Sequence, residues 1–293
     1  MVSNAAVSPQ MDFLSWHWQE GEIHPCGDGS GGVPLSDRGF RYGQHLFESI
    51  AIRHGAPLLI ADHLALLADS AKAHGFPFSR SLTATLRSFL GSISLGDGML
   101  RIYLTAGPGA PASSIKHPGC YLSWESARFP SLQEIEKGYA LTLLKKPFLG
   151  EDWGVKSGNY NAHLDALVLA RFAGADEAII CDGKGRILSC AMGNLIIWMT
   201  SPKSGKELVL FTPSTRTGAR SGAVLKWVSR QTRLVAQELR ISDLRRARAL
   251  AITNSRLGII PVATLDGRSL PEISNARDLA HHYLYFHGLL GSS

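Results

Sequence analysis

Gly154-Val155-Lys156-Ser157-Gly158-Asn159-Tyr160 stands between an apolar, strand-like stretch, Tyr139 to Leu144, and a helical pattern that opens at Tyr160. A lysine held in such a place lies away from the solvated surface. Desolvation disfavours the ammonium, lowers its pKa and yields an amine able to form an imine with an aldehyde. One lysine defines no chemistry by itself. The meaning of Lys156 comes from the chain that follows it.

Two later stretches are suited to holding a phosphate. In Thr212-Pro213-Ser214-Thr215-Arg216-Thr217-Gly218-Ala219-Arg220-Ser221-Gly222-Ala223-Val224, a polar loop delivers Ser221 and Gly222 to the start of a helix. The unpaired N–H groups there, with the helix dipole, favour an anion. A Ser-capped helix without a ligand uses the same residues. The second stretch, Ile252-Thr253-Asn254-Ser255, ends an apolar strand in a turn whose hydroxyl and amide groups can reach an anion. An Asx-type turn with no ligand gives the same pattern. Together, a nucleophilic amine and two phosphate cradles point to pyridoxal 5'-phosphate, which also requires a partner for its ring nitrogen.

Around these stretches the pattern is mixed. Strands are predicted at Phe13 to Trp18, Glu22 to Cys26, Phe47 to Arg53, Pro57 to Ile60, Met99 to Thr105 and Cys120 to Glu125. Helices are predicted at Asp62 to His74, with Leu64, Leu67, Ala68 and Ala71 at helical spacing, and at Leu82 to Leu90. The second half reads as strands at Tyr139 to Leu144, Glu177 to Cys181, Ile187 to Leu188, Asn194 to Met199, Leu208 to Thr212, Ala249 to Thr253 and Gly258 to Thr264. Its helices are Tyr160 to Phe172, with Leu164, Leu167 and Val168 on one face, then Gly222 to Glu238 and Ile241 to Arg246. Without strict βαβ alternation this is α+β, not a doubly wound sheet. The expected organisation is a disordered terminus over 1–12, a small α+β domain over 13–125, a polar connection over 126–138 and a larger α+β domain over 139–293.

Composition narrows the function. The 293 residues are 45% apolar, as a globular chain of one large or two medium domains requires. No stretch reaches the ~20 apolar residues of a membrane span, and the first ten residues lack the pattern of a signal peptide. The four cysteines have no metal spacing, and Cys181 and Cys190 read as reduced buried thiols of a cytoplasmic protein. The net charge of +6 is spread along the chain with no nucleic-acid-binding motif, so an anionic small molecule accounts for it. Gly27 to Gly32 is rich in glycine but no GK[ST] follows, which makes it a hairpin connection. His281, His282 and His287 fit a solvated helix end better than a metal site, and His163 reads as a helix residue near the site. No metal is expected.

The ordered set of motifs resembles the class IV aminotransferases, the fold-type IV pyridoxal-phosphate enzymes, from about residue 13 to 285. The resemblance rests on Ser36-Asp37-Arg38-Gly39-Phe40-Arg41-Tyr42-Gly43 with Phe47-Glu48, His63-Leu64-Ala65-Leu66-Leu67, Lys156 with Asn159-Tyr160, and Gly174-Ala175-Asp176-Glu177-Ala178. It continues through Asp182-Gly183-Lys184-Gly185-Arg186, Asn194-Leu195, Thr212-Pro213, Gly222, and Thr253-Asn254-Ser255 to Pro261-Val262. It implies a two-domain fold like that of D-amino-acid aminotransferase, a cofactor between the domains and a homodimer. It gives Lys156 the imine and the proton shuttle, and Tyr160 the cofactor phenolate. Gly222, Ala223 and Val224 with Asn254 and Ser255 fall at the phosphate, and Tyr42 and Arg101 in the substrate pocket.

Three positions depart from the family pattern. The phosphate arginine of the His-x-x-Arg-Leu motif is Leu66, which cannot donate, so one charge-assisted contact of about 1.5–3 kcal/mol is absent. Arg216 or Arg220 could supply it from the neighbouring loop. The glutamate that pairs with the ring nitrogen is Ser189, whose hydroxyl does not stabilise a pyridinium. Ala106 stands where an arginine is common. The expected activity is transamination of a small, branched-chain-like amino acid. Thr253 to Gly258 and Ser189-Cys190 look more like 4-amino-4-deoxychorismate lyase, which releases pyruvate in folate synthesis. A degenerate relative without cofactor chemistry is the third reading.

Overall fold

The structure, a computed structural model, describes residues 13–26, 32–144, 154–201, 205 and 207–290. The expectations for residues 1–12 and for most of the Gly27 to Gly32 loop lie outside these.

The first half builds one antiparallel sheet. Its strands are β1 (Phe13–Gln19), β2 (Glu22–Pro25), β3 (His45–Arg53), β4 (Ala56–Pro57), β5 (Gly98–Thr105) and β6 (Gly119–Ser126), in the order β2-β1-β6-β5-β3-β4. Helices α2 (Ile60–Ala73) and α3 (Arg80–Ser92) cover one face, after a short α1 (Arg38–Tyr42). Alternation along β3 sorts its side chains. Leu46, Ile50 and Ile52 enter the core with Leu64, Leu67 and Ala71 of α2, and Phe47 and Ser49 face the other way. The predicted strand Pro57 to Ile60 ends at Pro57, because the chain turns at Leu59 (φ 54°) and starts α2 at Ile60.

The Ser36 to Gly43 motif is an anchor for α1. Asp37 is buried, caps the helix by accepting from Gly39 N at 2.6 Å and accepts from Thr105 Oγ1 at 2.6 Å. Arg38, equally buried, donates to the carbonyls of Ala106 (2.9 Å), Gly107 (3.3 Å) and Ser113 (2.7 Å). Burying such groups is tolerable only with their hydrogen bonds made.

The polar stretch 126–138 is not a bare connection. Ser131 and Glu134 form a capping box that starts α4 (Leu132–Lys137), and Ile135 buries itself against the second half. Two apolar residues in six, of which Leu132 stays exposed and only Ile135 is buried, give no visible periodicity, which is why the helix escaped the sequence reading.

The second sheet has nine strands: β7 (Tyr139–Leu143), β8 (Glu177–Cys181), β9 (Ile187–Cys190), β10 (Asn194–Thr200), β11 (Leu208–Pro213), β12 (Leu234–Gln237), β13 (Ala249–Asn254), β14 (Gly258–Leu265) and β15 (Arg268–Ser269). The order is β12-β11-β10-β13-β14-β7-β8-β9, with β15 on β14. β10 is apolar without alternation because both faces are covered. Leu195, Ile197 and Met199 enter one core, and Ile196 and Trp198 pack under α6 (Ala223–Gln231) and α7 (Ile273–Phe286).

Two helical expectations are corrected here. The helix expected over Gly222 to Glu238 stops at Gln231, and β12 follows, paired parallel to β11. Leu234 and Val235 keep an apolar rhythm, but sheet pairing overrides the helical continuation. In α5 (Asn161–Phe172) the expected face of Leu164, Leu167 and Val168 is buried only in part, since Leu167 alone of the three packs on the sheet. Ala166 and Ala170 pack on Ala178 and Ile180, because small side chains let the helix approach the sheet, and Leu164, Val168, Leu169 and Phe172 are left exposed. No helix among the described residues is long and apolar enough to cross a membrane.

Candidate active site

Lys156 sits at the seam of the two sheets. Its own backbone extends the first sheet: Phe47 N donates to Lys156 O at 2.9 Å, and Gly158 N donates to His45 O at 3.0 Å. The segment is thereby fixed against the end of β3. The side chain turns inward, with Nζ 3.4 Å from Ser49 Oγ and 4.9 Å from the centre of the Phe47 ring. Burial lowers its pKa to about 8, helped by the Arg220 and Arg101 charges and opposed by Glu48. At pH 7 about one such amine in ten is unprotonated.

Two cavities meet at this amine. The narrower one is lined by Lys156, Tyr160, Ser189, Asn194, Gly222, Ala223, Val224, Thr253, Asn254 and Ser255, with Glu48, His63 and Arg220. The wider one, about 500 Å³, has Phe47, Ser49, Arg101, Tyr103 and Tyr139 in its wall. Lys156, Tyr160, Met192, Asn254 and Ser255 belong to both. The structure thus gathers nine of the ten predicted site residues, drawn from both halves of the chain. Tyr42 is the exception. It is exposed on α1, under the Arg41 guanidinium, and lines neither cavity.

Each gathered residue has a defined local role. Tyr160 precedes α5, stacks on His163 with centroids 4.6 Å apart and meets Phe47 edge-on at 5.3 Å. Burial raises the pKa of its phenol. His163 Nδ1 donates to Ala191 O at 2.7 Å. Ser189 Oγ donates to Cys190 O at 2.7 Å, so its hydroxyl proton is already in use. Asn254 forms the Asx-type turn that was the alternative for this stretch: Leu257 N donates to its Oδ1 at 2.7 Å, and its Nδ2 donates to Met192 O at 3.1 Å.

The α6 start is shaped by Asn194. Its Oδ1 accepts from Gly222 N at 3.0 Å and its Nδ2 donates to Arg220 O at 2.6 Å. A Cβ at residue 222 would come within 2.6 Å of that Oδ1, so any larger residue would push Asn194 off its bonds. The Gly222 N–H is therefore engaged, and the next two, of Ala223 and Val224, begin the helix without a capping side chain.

The unforeseen element is a chain of polar groups across the seam. Arg220 donates to Glu48 Oε1, His63 Nδ1 lies 2.8 Å from Glu48 Oε2, and His63 Nε2 lies 3.2 Å from Ser255 Oγ. Burial alone would raise the Glu48 pKa, but Arg220, His63 and Lys156 together hold it at about 2. The carboxylate is anionic, so His63 Nδ1 carries a proton and donates. With a neutral ring, Ser255 must then donate its hydroxyl to Nε2; with a protonated ring, Nε2 donates and the hydroxyl turns elsewhere. Glu48 and His63 stood within quoted motifs, but nothing in sequence spacing showed them to be in contact. Of the two candidate substitutes for an arginine at 66, Arg220 lines the cavity, Arg216 is exposed, and Leu66 itself is buried outside it.

A buried acid lies nearby. Burial pushes Glu177 up to about 7, against donation from the N–H groups of Ala178 (2.9 Å) and Met192 (3.0 Å). It fixes the turn that bears Met192, in the wall of both cavities.

The residues fit pyridoxal 5'-phosphate on the structure's own terms. An amine of lowered pKa, an uncapped helix start, an arginine, and the buried Thr253 hydroxyl, which has no partner among the described residues, share one cavity. Ser189 alone fits poorly, since it offers the ring nitrogen no acid.

Comparisons with known proteins bear on the family and the fold. The family model described as amino-transferase class IV matches residues 45–265. A protein of Methanocaldococcus jannaschii named as a candidate branched-chain-amino-acid aminotransferase is 27% identical over 262 residues, covering 80% of this chain and 83% of that one. The 4-amino-4-deoxychorismate lyase of Pseudomonas aeruginosa superposes with a TM-score of 0.77 at 24% identity, covering 94% of this chain and 100% of the lyase. The fold IV-transaminase CpuTA1 of Curtobacterium pusillum gives 0.74 at 21%, covering 95% and 99%. The match spans well over half of the sequence and contains the lysine, the α6 start and both walls of the cavity: the chain belongs to the class IV aminotransferase family.

Proposed function

We propose that the protein is a pyridoxal-phosphate-dependent aminotransferase acting on a small, branched-chain-like amino acid. The observation that carries this reading is Lys156 Nζ, desolvated at the junction of a cavity that holds Arg220 and the α6 start and a wider, aromatic-lined one.

When bound, pyridoxal phosphate supplies an aldehyde for the lysine amine and a conjugated ring that accepts electrons from the substrate. Tyr160 would hold the phenolate side of the ring, and Ala223, Val224 and Ser255 the phosphate. Asn254 and Gly222 shape the walls, and Ser189 stands at the ring-nitrogen end as a neutral neighbour. Lys156 Nζ takes the proton from the substrate Cα and returns it, acting as a general base whose lowered pKa keeps part of it unprotonated near neutrality. Arg101, half-buried in the wider cavity, has Nη1 paired with Glu125 at 2.6 Å and would offer its remaining N–H groups to the substrate carboxylate.

A second reading has its own support. Arg171 and Arg256 join Arg101 around the wider cavity, an arrangement that suits a substrate with two carboxylates such as 4-amino-4-deoxychorismate. Amino-group transfer to 2-oxoglutarate against pyruvate release separates the two reactions. A homodimer is also proposed, supported by the exposed apolar groups Phe40 and Tyr42 of α1 and Val168, Leu169 and Phe172 of α5. Tyr42 is assigned to that face instead of to the cavity of its own chain. Four cysteines without a disulfide suit the cytoplasm.

The test is spectroscopic. Wild-type protein mixed with pyridoxal phosphate should gain a visible-range band that borohydride removes and that Lys156→Ala never shows. No band in the wild type makes the chain a degenerate relative.

A further inference from the structure

Arg220 carries donors that the described chain does not use. The Glu48 ion pair engages Nη2 alone, and Nε and Nη1 have no acceptor among the described residues, although only 18% of the side chain is exposed. A guanidinium presents five N–H donors and tolerates burial poorly when several are idle. The same cavity holds the N–H groups that open α6 and the fully buried, unpartnered hydroxyl of Thr253. Asn194 bonds both Arg220 O and Gly222 N, so the Arg220 backbone and the helix start are fixed to a single clamp, and Glu48 holds the guanidinium. Apart from Lys156 and histidines, Arg220 is the cavity's cation among the described residues.

We propose that Arg220 binds the phosphate monoester of the cofactor, supplying from the loop before α6 the cation that Leu66 cannot supply from α2. The inference rests on the cofactor reading above. Glu48 acts as the positioning residue: it holds one edge of the guanidinium and leaves the other edge toward the anion. The fork geometry matters as well as the charge, because two phosphate oxygens can accept from one guanidinium.

The experiment compares dissociation constants of pyridoxal 5'-phosphate and of pyridoxal, which lacks the phosphate, by titrating the visible band. Their ratio cancels any effect of Arg220 on the amine of Lys156. In Arg220→Gln the preference for the phosphorylated form should fall about tenfold to a hundredfold, and inorganic phosphate should no longer raise the melting temperature. Arg220→Gln leaves Glu48 buried without its partner, so Glu48→Gln/Arg220→Gln, which removes both charges, must show the same fall. A wild-type ratio in the folded double variant, or an equal loss for both ligands, overturns the proposal. A wild type that shows no band but is stabilised by phosphate through Arg220 removes the cofactor reading and leaves a phosphate site. A wild type with a band and indifferent variants does the reverse.

Discussion

Glu48 of β3 and Arg220 of the loop before α6 are ion-paired across the seam between the two sheets, 172 residues apart in the chain. The pair does more than join two halves. It keeps a buried carboxylate ionised, and that carboxylate fixes the orientation of His63, whose Nε2 meets Ser255 Oγ.

Acid should expose this arrangement. Folded, the Glu48 carboxyl has a pKa of about 2, against 4.5 for a solvated glutamate. Between those values the unfolded chain binds the extra proton, so stability present above pH 4.5 is lost as the pH falls toward 2. The displacement corresponds to about 3 kcal/mol. Urea midpoints of Glu48→Gln should fall less steeply than those of the wild type from pH 5 to pH 2.5. Parallel curves would show that the carboxylate is not held as described.

The reactivity of Lys156 should titrate near pH 8, well below an ordinary lysine. Borohydride trapping of pyridoxal at residue 156, followed by mass spectrometry across pH 6 to 10, gives the midpoint. Arg220→Gln should move it up, since a neighbouring positive charge is removed, and Glu48→Gln should move it down. A midpoint above 10 in the wild type would mean that the amine is solvated.

Gly158, in the wall of the wider cavity, controls the lysine through its backbone bond to β3. A Cβ there would lie 2.4 Å from Gly43 O and 2.5 Å from the His45 ring. Backbone cannot yield as a flexible side chain can, so Gly158→Ala should cost about 1–3 kcal/mol and pull the 156–158 segment off β3. Chemical denaturation and the pyridoxal-trapping yield should decline together. Unchanged trapping would show that the β3 contact does not position Nζ.

The thiols should be silent in the native state. Cys120, Cys181 and Cys190 are buried, and burial pushes Cys120 and Cys181 up to about 12 and Cys190 well above the usual range. Cys26 is half-buried. A thiol reagent at pH 8 should modify at most one group natively and four in denaturant. Three fast groups would contradict the packing.

The sequence determined most element types, the α+β class and the family, because strand alternation, helix spacing and motif residues are properties of neighbours in the chain. It also singled out Lys156 and the α6 start, whose chemistry is local. Leu164 and Val168 misled as a core face because periodicity marks an apolar stripe without saying what it meets. Val235 misled as helix because pairing with β11 is a contact between distant segments. Only the tertiary structure decided that Glu48, His63, Arg220 and Ser255 form one chain of bonds, that the Gly222 N–H is consumed by Asn194 and that Ser189 spends its proton on Cys190 O. The physical reason is that a side chain's hydrogen-bond partner and its pKa depend on which remote segments exclude water around it, and spacing along the chain carries no record of that.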